Sequence, residues 1–296
     1  MPNVVQTLTK WGDFVKIAHT VFALPFALAA MVVAARENKG WPGWRIFLLI
    51  IAAMFTARTC AMAFNRIVDR HFDAKNPRTA SRHLPAGQIS IESAWTLCVL
   101  SGVGFLVTTF FINTLCFALA PLALGVICFY SLTKRLTDFT HVYLGIALGL
   151  APLGAWLAVR GEFGLSPILL SLAVALWLTG FDIIYATQDV EFDRSAGLGS
   201  LVVRWGVSNS LQFAFLAHLI MWGLLAVFGL VCKFRAPYYI GLVVILCSII
   251  FEHWLARRRS LKWINLAFFR LNALISVVFL IMVIVSVVFP GFRRVW

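Results

Sequence analysis

The sequence predicts an all-α fold, a multi-pass transmembrane bundle of nine helices, and three observations predict it. Hydrophobic residues make up 61% of the 296 positions and charged residues only 12%, with a mean hydropathy of +0.90. A soluble domain runs to about half apolar and a quarter charged. So little charge cannot cover a globule in water, which excludes a soluble enzyme, a nucleic-acid-binding module and a disordered chain. The apolar residues gather into nine runs, each near the ~20 residues that a helix needs to cross a hydrocarbon layer. The runs do not alternate with period two, so barrel strands are excluded as well.

The first run, Phe14–Ala35, is too long for a signal peptide and too polar at its start, where Lys16 and His19 stand. With eight spans behind it, it belongs to the mature protein. Trp44–Phe64 is the second. Ile91–Ile112 and Leu115–Leu132 are parted only by a few residues around Asn113 and read as a tight helical hairpin. Val142–Val159, Pro167–Thr187, Leu211–Val231, Tyr238–Leu255 and Leu266–Phe289 complete the set. Gaps of about 26 residues after the second run and about 20 after the sixth stand out among short connections. An acidic cluster closes both of those runs, a hint of duplication. Residues 1–296 read as one domain without a linker.

The formal charge of +13 is placed mostly in the gaps. With the N-terminus inside, fourteen Lys and Arg residues fall in inner gaps and seven in outer ones. The positive-inside bias therefore puts the N-terminus and both long gaps on the cytoplasmic side of the inner membrane. Lipid headgroups, rather than nucleic acid, are the partner of this charge. Six cysteines lie singly inside apolar runs and read as buried, inert thiols, with neither a disulfide frame nor a metal knuckle.

The acids are rarer and more telling. Six of the twelve fall in two places, Asp69 and Asp73 where the second run ends, and Asp182, Asp189, Glu191 and Asp193 where the sixth ends. Asn65, Asp69 and Asp73 are four apart, and so are Tyr185, Asp189 and Asp193. Residues four apart stack on one helix face. Each cluster therefore presents a stripe of oxygen ligands at a helix end.

Two carboxylates at a helix C-terminus repel each other and face the negative end of its dipole. Pairing with Arg66, Arg70 or Arg194 would offset that, and so would a hard divalent cation. Magnesium takes oxygen ligands and is typically held by one or two carboxylates plus substrate phosphates. The two stripes could grip a diphosphate through Mg²⁺, with the basic segment Lys75–His83, including Arg78 and Arg82, closing over it. A diphosphate at the edge of a membrane bundle calls for an isoprenoid tail lying in the bilayer. Mg²⁺ and arginine would stabilise the leaving group, and a nucleophile would capture the allylic cation.

These residues resemble the UbiA family of intramembrane aromatic prenyltransferases. Its first motif, NDxxDxxxD, reads here as Asn65, Asp69 and Asp73, with Arg66 where the family usually has Asp. Its basic RTxxRxLPxG loop is matched by Arg78, Thr79, Arg82, Leu84, Pro85 and Gly87. Its second acidic motif is matched by Tyr185, Asp189 and Asp193, followed by Arg194, Gly197 and Ser200, and its YxxxK by Tyr130 and Lys134, with Arg135 adjacent. The wording is similar to the branch close to 4-hydroxybenzoate polyprenyltransferases, which also includes enzymes of the naphthoate (futalosine) route to menaquinone. The resemblance implies that Asp69, Asp73, Asp189 and Asp193 hold Mg²⁺–diphosphate with Asn65 orienting. It implies that Arg70, Lys134 and Arg135 contact diphosphate or an aromatic acid acceptor, that the donor is a polyprenyl diphosphate, and that the product enters ubiquinone or menaquinone biosynthesis.

Arg58 lies seven residues before Asn65 inside an apolar run. An intramembrane arginine is a functional candidate, either a clamp for the acceptor carboxylate or a partner of Asp182. Lys16 reads as interfacial or substrate-binding, and His19 as a packing residue. Asp182 reads as a partner for a cation, a proton acceptor or a packing residue. The 26 Phe and 11 Trp residues read as mostly lipid-facing or interfacial. A cation transporter would carry its acids near the bilayer midplane in broken helices. A CDP-alcohol phosphotransferase would show a D-G-x-x-A-R pattern, which is absent from the sequence.

Overall fold

Inside a hydrocarbon layer a long apolar segment satisfies its own N–H and C=O groups by coiling, and the computed structural model of the chain is built of such coils. It describes residues 4–16, 20–257 and 267–289. Eleven α-helices occur among them, and no strand. They are α1 (Val4–Phe14), α2 (Thr20–Ala34), α3 (Trp44–Lys75), α4 (Ile91–Ile112), α5 (Thr114–Thr133) and α6 (Thr140–Arg160). Then follow α7 (Leu165–Ala186), α8 (Val190–Ser195), α9 (Leu201–Val231), α10 (Ala236–Ala256) and α11 (Asn272–Val288).

Eight helices are long and apolar enough to cross a membrane: α3 to α7, α9, α10 and the stretch Phe269–Val288 that holds α11. Of the first run, the described residues hold the further apolar helix α2. α1 stops at Phe14, where Lys16 turns left-handed (φ 52°), and α2 has 15 residues. His19 lies outside the described residues.

Other boundaries also move. α3 runs past Phe64 to Lys75, because no Gly or Pro interrupts the sequence before Pro77. The whole first acidic motif is therefore helical. α9 starts at Leu201, where the Ser200 hydroxyl accepts from the Val203 amide at 3.1 Å, and non-helical Gly206 (φ 77°, ψ 160°) kinks it. The α4–α5 hairpin is as tight as the sequence implies. Asn113 alone separates the helices, and its side chain accepts from the Cys116 amide at 2.8 Å.

The chain divides into two compact units, residues 1–20 with 48–132, and residues 21–47 with 133–296. In the first, Phe14, Ala63, Ile67, Ile89 and Ala94 form a buried cluster with Cys60 and Cys98. The thiols of those two cysteines lie 3.8 Å apart. The cysteines are thus not all solitary, nor all buried, since Cys247 is exposed, but all six are free.

In the second unit Phe26 stacks on Phe279 (4.7 Å) and tilts against Trp177 (4.9 Å). These rings are fully buried, so part of the aromatic content is core rather than lipid-facing. Below them runs a buried polar ring through four helices. Trp177 Nε1 donates to Asn272 Oδ1 (2.8 Å), Asn272 Nδ2 to Glu252 Oε1 (2.7 Å), and His218 Nε2 to the Trp177 carbonyl (3.0 Å). His218 Nδ1 lies 3.7 Å from Glu252 Oε2, and Gly180 leaves the room that the His218 ring occupies. Asn272→Ala would strand Trp177 Nε1 and Glu252 Oε1 inside the bundle. A stranded buried group costs about 1–3 kcal/mol. Thermal unfolding in detergent is expected to show a lowered midpoint, with Glu252→Ala adding less than its separate effect.

Candidate active site

In the first unit α3 carries the first acidic motif on one face. Asn65 Nδ2 donates to Asp69 Oδ2 at 2.8 Å, one turn along. Asp73, a further turn on, receives Arg82 Nη1 at 2.7 Å on both of its oxygens. The basic loop therefore folds back onto the end of its own helix. The fold-back follows from local hydrogen bonding. Asn76 Oδ1 accepts from the Arg78 amide (2.9 Å), and the Thr79 hydroxyl donates to the Asp73 carbonyl (3.1 Å), one of the carbonyls that a helix end leaves unpaired.

Arg66, the departure from the family motif, is buried. Its Nε donates to the Phe14 carbonyl at 3.4 Å, and its Nη1 lies 4.0 Å from Asp73 Oδ2. Two turns earlier on α3, Arg58 Nη2 donates to the Lys16 carbonyl at 3.1 Å. The two arginines thus cap the carbonyl end of α1. Arg58 Nε is buried with no partner among the described residues. Arg70 spends its Nη1 on the Ile67 carbonyl (2.9 Å), and Arg78 is exposed. Tyr130 is half-buried on α5. Partial burial first, and then the guanidinium of Arg66, hold the Lys16 amine below the ordinary lysine range, Arg82 adding to this and Asp13 opposing it. Crowded like charges of this kind favour an incoming polyanion.

The second acidic motif lies in the second unit and is not one helical stripe. α7 ends at Ala186, and α8 begins after Asp189. The Thr187 hydroxyl takes the Ile184 carbonyl (2.7 Å), while the amides of Gln188 and Asp189 reach the carbonyls three residues back. That competition ends the α-ladder. Tyr185 therefore stays on α7. Asp189, the N-cap of α8, and Asp193 within it keep their helical spacing, the Asp193 amide bonding to the Asp189 carbonyl at 2.8 Å.

Lys134, just past α5, places Nζ 3.3 Å from Asp193 Oδ2. Burial pulls the lysine down, but Asp193, Asp182 and Asp189 outweigh it and leave the amine above the ordinary range. Burial likewise pushes the Asp193 carboxyl up, more than Lys134 pulls it down. The loop after α8 holds this arrangement. The Gly199 amide donates to the Lys134 carbonyl (2.7 Å), and Gly197 (φ 67°) makes the turn. Arg135 is half-buried beside Lys134, and Arg194 is exposed. Asp182 pairs with His141, Nδ1 to Oδ2 at 2.6 Å.

Sequence reasoning passed over His141 and the capping role of Arg66. Of these only His141 carried a signal, its four-residue spacing to Gly145 and Gly149.

The donor set of both clusters is oxygen, which suits Mg²⁺ rather than a softer ion. Among the described residues no three His, Cys, Asp or Glu side chains gather around one point. Each cluster offers two carboxylates and leaves the rest of a coordination shell to phosphate and water.

Helices long and apolar enough to cross a membrane, ending in aspartate clusters with basic side chains against them, define an all-α membrane protein with paired acidic sites. Residues 23–289 match the UbiA prenyltransferase family, and the chain belongs to it. It is an integral-membrane prenyltransferase. A 4-hydroxybenzoate octaprenyltransferase of Tolumonas auensis is 30% identical over 223 residues, 75% of this chain and 78% of that one. One of Alcanivorax borkumensis is 32% identical over 228 residues, 76% and 77% of the two chains. A UbiA homologue from Aeropyrum pernix K1, solved in its apo form, superposes with a TM-score of 0.81 at 30% identity, covering 90% of this chain and 97% of the other. A homologue from Archaeoglobus fulgidus bound to GPP and Mg²⁺ shares the fold with a TM-score of 0.70 at 20% identity, covering 93% and 99%.

Proposed function

We propose that the protein transfers a polyprenyl chain from its diphosphate to a hydroxylated aromatic acid of the 4-hydroxybenzoate type, in quinone biosynthesis. The observation that carries this reading is the doubled acidic motif, each copy set against basic side chains. The names of its relatives and the Mg²⁺–GPP complex of the archaeal homologue support it. Asp69, Asp73, Asp189 and Asp193, with Asn65, hold Mg²⁺–diphosphate. When bound, Mg²⁺ neutralises the departing diphosphate as a Lewis acid.

Arg70, Arg78, Arg82, Lys134 and Arg135 add positive charge where the diphosphate oxygens gain negative charge. Arg58 offers its unpartnered Nε, and Lys16 its amine, to the acceptor carboxylate. Tyr130 and Tyr185 border the bound groups. Both acidic clusters serve one reaction, so residues 1–296 act as a single prenyltransferase domain. The positive-inside bias of the basic gaps supports an N-terminus and a reaction on the cytoplasmic face of the inner membrane.

Purified protein in lipid nanodiscs, given polyprenyl diphosphate and a panel of hydroxylated benzoates and naphthoates, tests the reading. The expected product has the mass of a prenylated 4-hydroxybenzoate, formation stops with EDTA, and Mg²⁺ restores it. Turnover that survives EDTA, or no product from any aromatic acid, overturns it. Product from naphthoates alone overturns the acceptor assignment.

A further inference from the structure

We propose that Asp182, oriented by His141, takes the proton that leaves the acceptor ring once the new carbon–carbon bond has formed. This rests on the function proposed above. It begins with helix packing. His141, Gly145 and Gly149 recur every fourth residue and share one face of α6. A Cβ on Gly145 would run into the Ala175 carbonyl, and one on Gly149 would lie 2.8 Å from the Ser171 carbonyl. The two glycines let the backbones of α6 and α7 touch, as small residues do between membrane helices. One turn further along that seam, His141 Nδ1 meets Asp182 Oδ2 at 2.6 Å.

The His141 ring is fully buried, and its Nε2 has no partner among the described residues. A buried N–H without an acceptor is costly, so the ring proton sits on Nδ1 and is donated to Asp182. That bond occupies one carboxylate oxygen. The side chain remains 24% exposed, so the pair is sealed on the histidine side and open on the aspartate side. It opens beside charge of the right kind, because Lys134 feels Asp182 together with Asp193 and Asp189. Unlike Asp193, Asp182 pairs with no lysine among the described residues, and it stands on α7 rather than α8. Thr179, one turn away, donates its hydroxyl to the Ala175 carbonyl (2.7 Å).

The chemistry balances without a redox partner. Diphosphate leaves with the electron pair of its bond to the prenyl carbon. The ring carbon beside the acceptor hydroxyl donates a pair to that carbon and forms the new bond. The C–H pair then returns to the ring as the proton passes to Asp182 Oδ1, from which water removes it. A positioned general base is typically worth 10²–10⁴-fold. His141 is a positioning residue in this scheme, since it acts through Asp182.

The test compares D182N, H141A and H141N in nanodiscs, using acceptor deuterated beside the hydroxyl and a non-hydrolysable prenyl thiodiphosphate as binding probe. D182N is expected to lower kcat about a hundred-fold or more, with the thiodiphosphate affinity unchanged. Its turnover should also show a primary deuterium isotope effect that is absent from the wild type, because proton loss becomes slow. H141A should lower kcat less, and H141N, whose amide donates from the same place, should restore it. Unchanged kcat in D182N overturns the proposal. So does a loss without an isotope effect, or a loss of thiodiphosphate binding. Failure of H141N to rescue overturns the role of His141. A wild type that transfers nothing to aromatic acids overturns both this proposal and the function beneath it, and the wild-type lane alone reports that outcome.

Discussion

Asparagine at Asp69 or at Asp193 is expected to lower turnover about a hundred- to a thousand-fold, the cost of deleting one group that stabilises developing charge. Each substitution keeps volume and removes only the anion. At Asp69 the Asn65 amide loses its carboxylate acceptor, 2.8 Å away, and the α3 cluster keeps only Asp73, whose oxygens Arg82 already occupies. At Asp193 the loss is deeper, because the residue is 2% exposed and Lys134 Nζ lies 3.3 Å away. That lysine would be left with Asp182 and Asp189 as its counter-charges. The two acids lie in different units, so their coupling is informative. Groups that act together on one transition state are grossly non-additive. The double variant should therefore be little worse than the poorer single one, and higher Mg²⁺ should partly restore each single variant. Radiolabelled transfer to 4-hydroxybenzoate measures both effects. Fully multiplicative losses would show that the clusters serve separate steps, and an active D69N would remove Asp69 from the metal site.

The sequence made some of this legible and hid the rest, for physical reasons. Hydropathy is a local sum, so the long apolar helices and the α4–α5 hairpin at Asn113 could be read directly. The start of the first run was not legible, because composition does not record backbone angles. Lys16 turns left-handed and splits an unbroken apolar stretch. The second acidic stripe failed for a related reason. Neither Gly nor Pro marks Thr187, and its hydroxyl ends α7 by taking a carbonyl that the helix would have used. Partners distant in sequence were out of reach altogether. Cys60 meets Cys98 across 38 residues and His141 meets Asp182 across 41, while Arg66 reads as a blemish until the end of α1 is found beneath it.

Opposite signs are expected when alanine replaces two glycines of the same helix. Gly145 and Gly154 both lie within α6, and local propensity treats them alike: Gly→Ala inside a helix gains roughly 0.5–1 kcal/mol. Their surroundings do not. A Cβ at Gly154 meets nothing within 4 Å, whereas one at Gly145 would collide with the Ala175 backbone and lie 2.5 Å from the Thr179 hydroxyl oxygen. A carbonyl held in the α7 ladder cannot swing aside as a flexible side chain would, so α6 and α7 must part. Overpacking of this kind costs about 1–3 kcal/mol, more than the propensity gain. Gly154→Ala should therefore raise the thermal midpoint in detergent and Gly145→Ala lower it. The separation forced by Gly145→Ala should also lengthen the 2.6 Å bond between His141 and Asp182 one turn away. Turnover should then fall in protein that is still folded, with thiodiphosphate binding intact. A Gly145→Ala variant as stable and as active as Gly154→Ala would mean that the two helices do not touch at this seam.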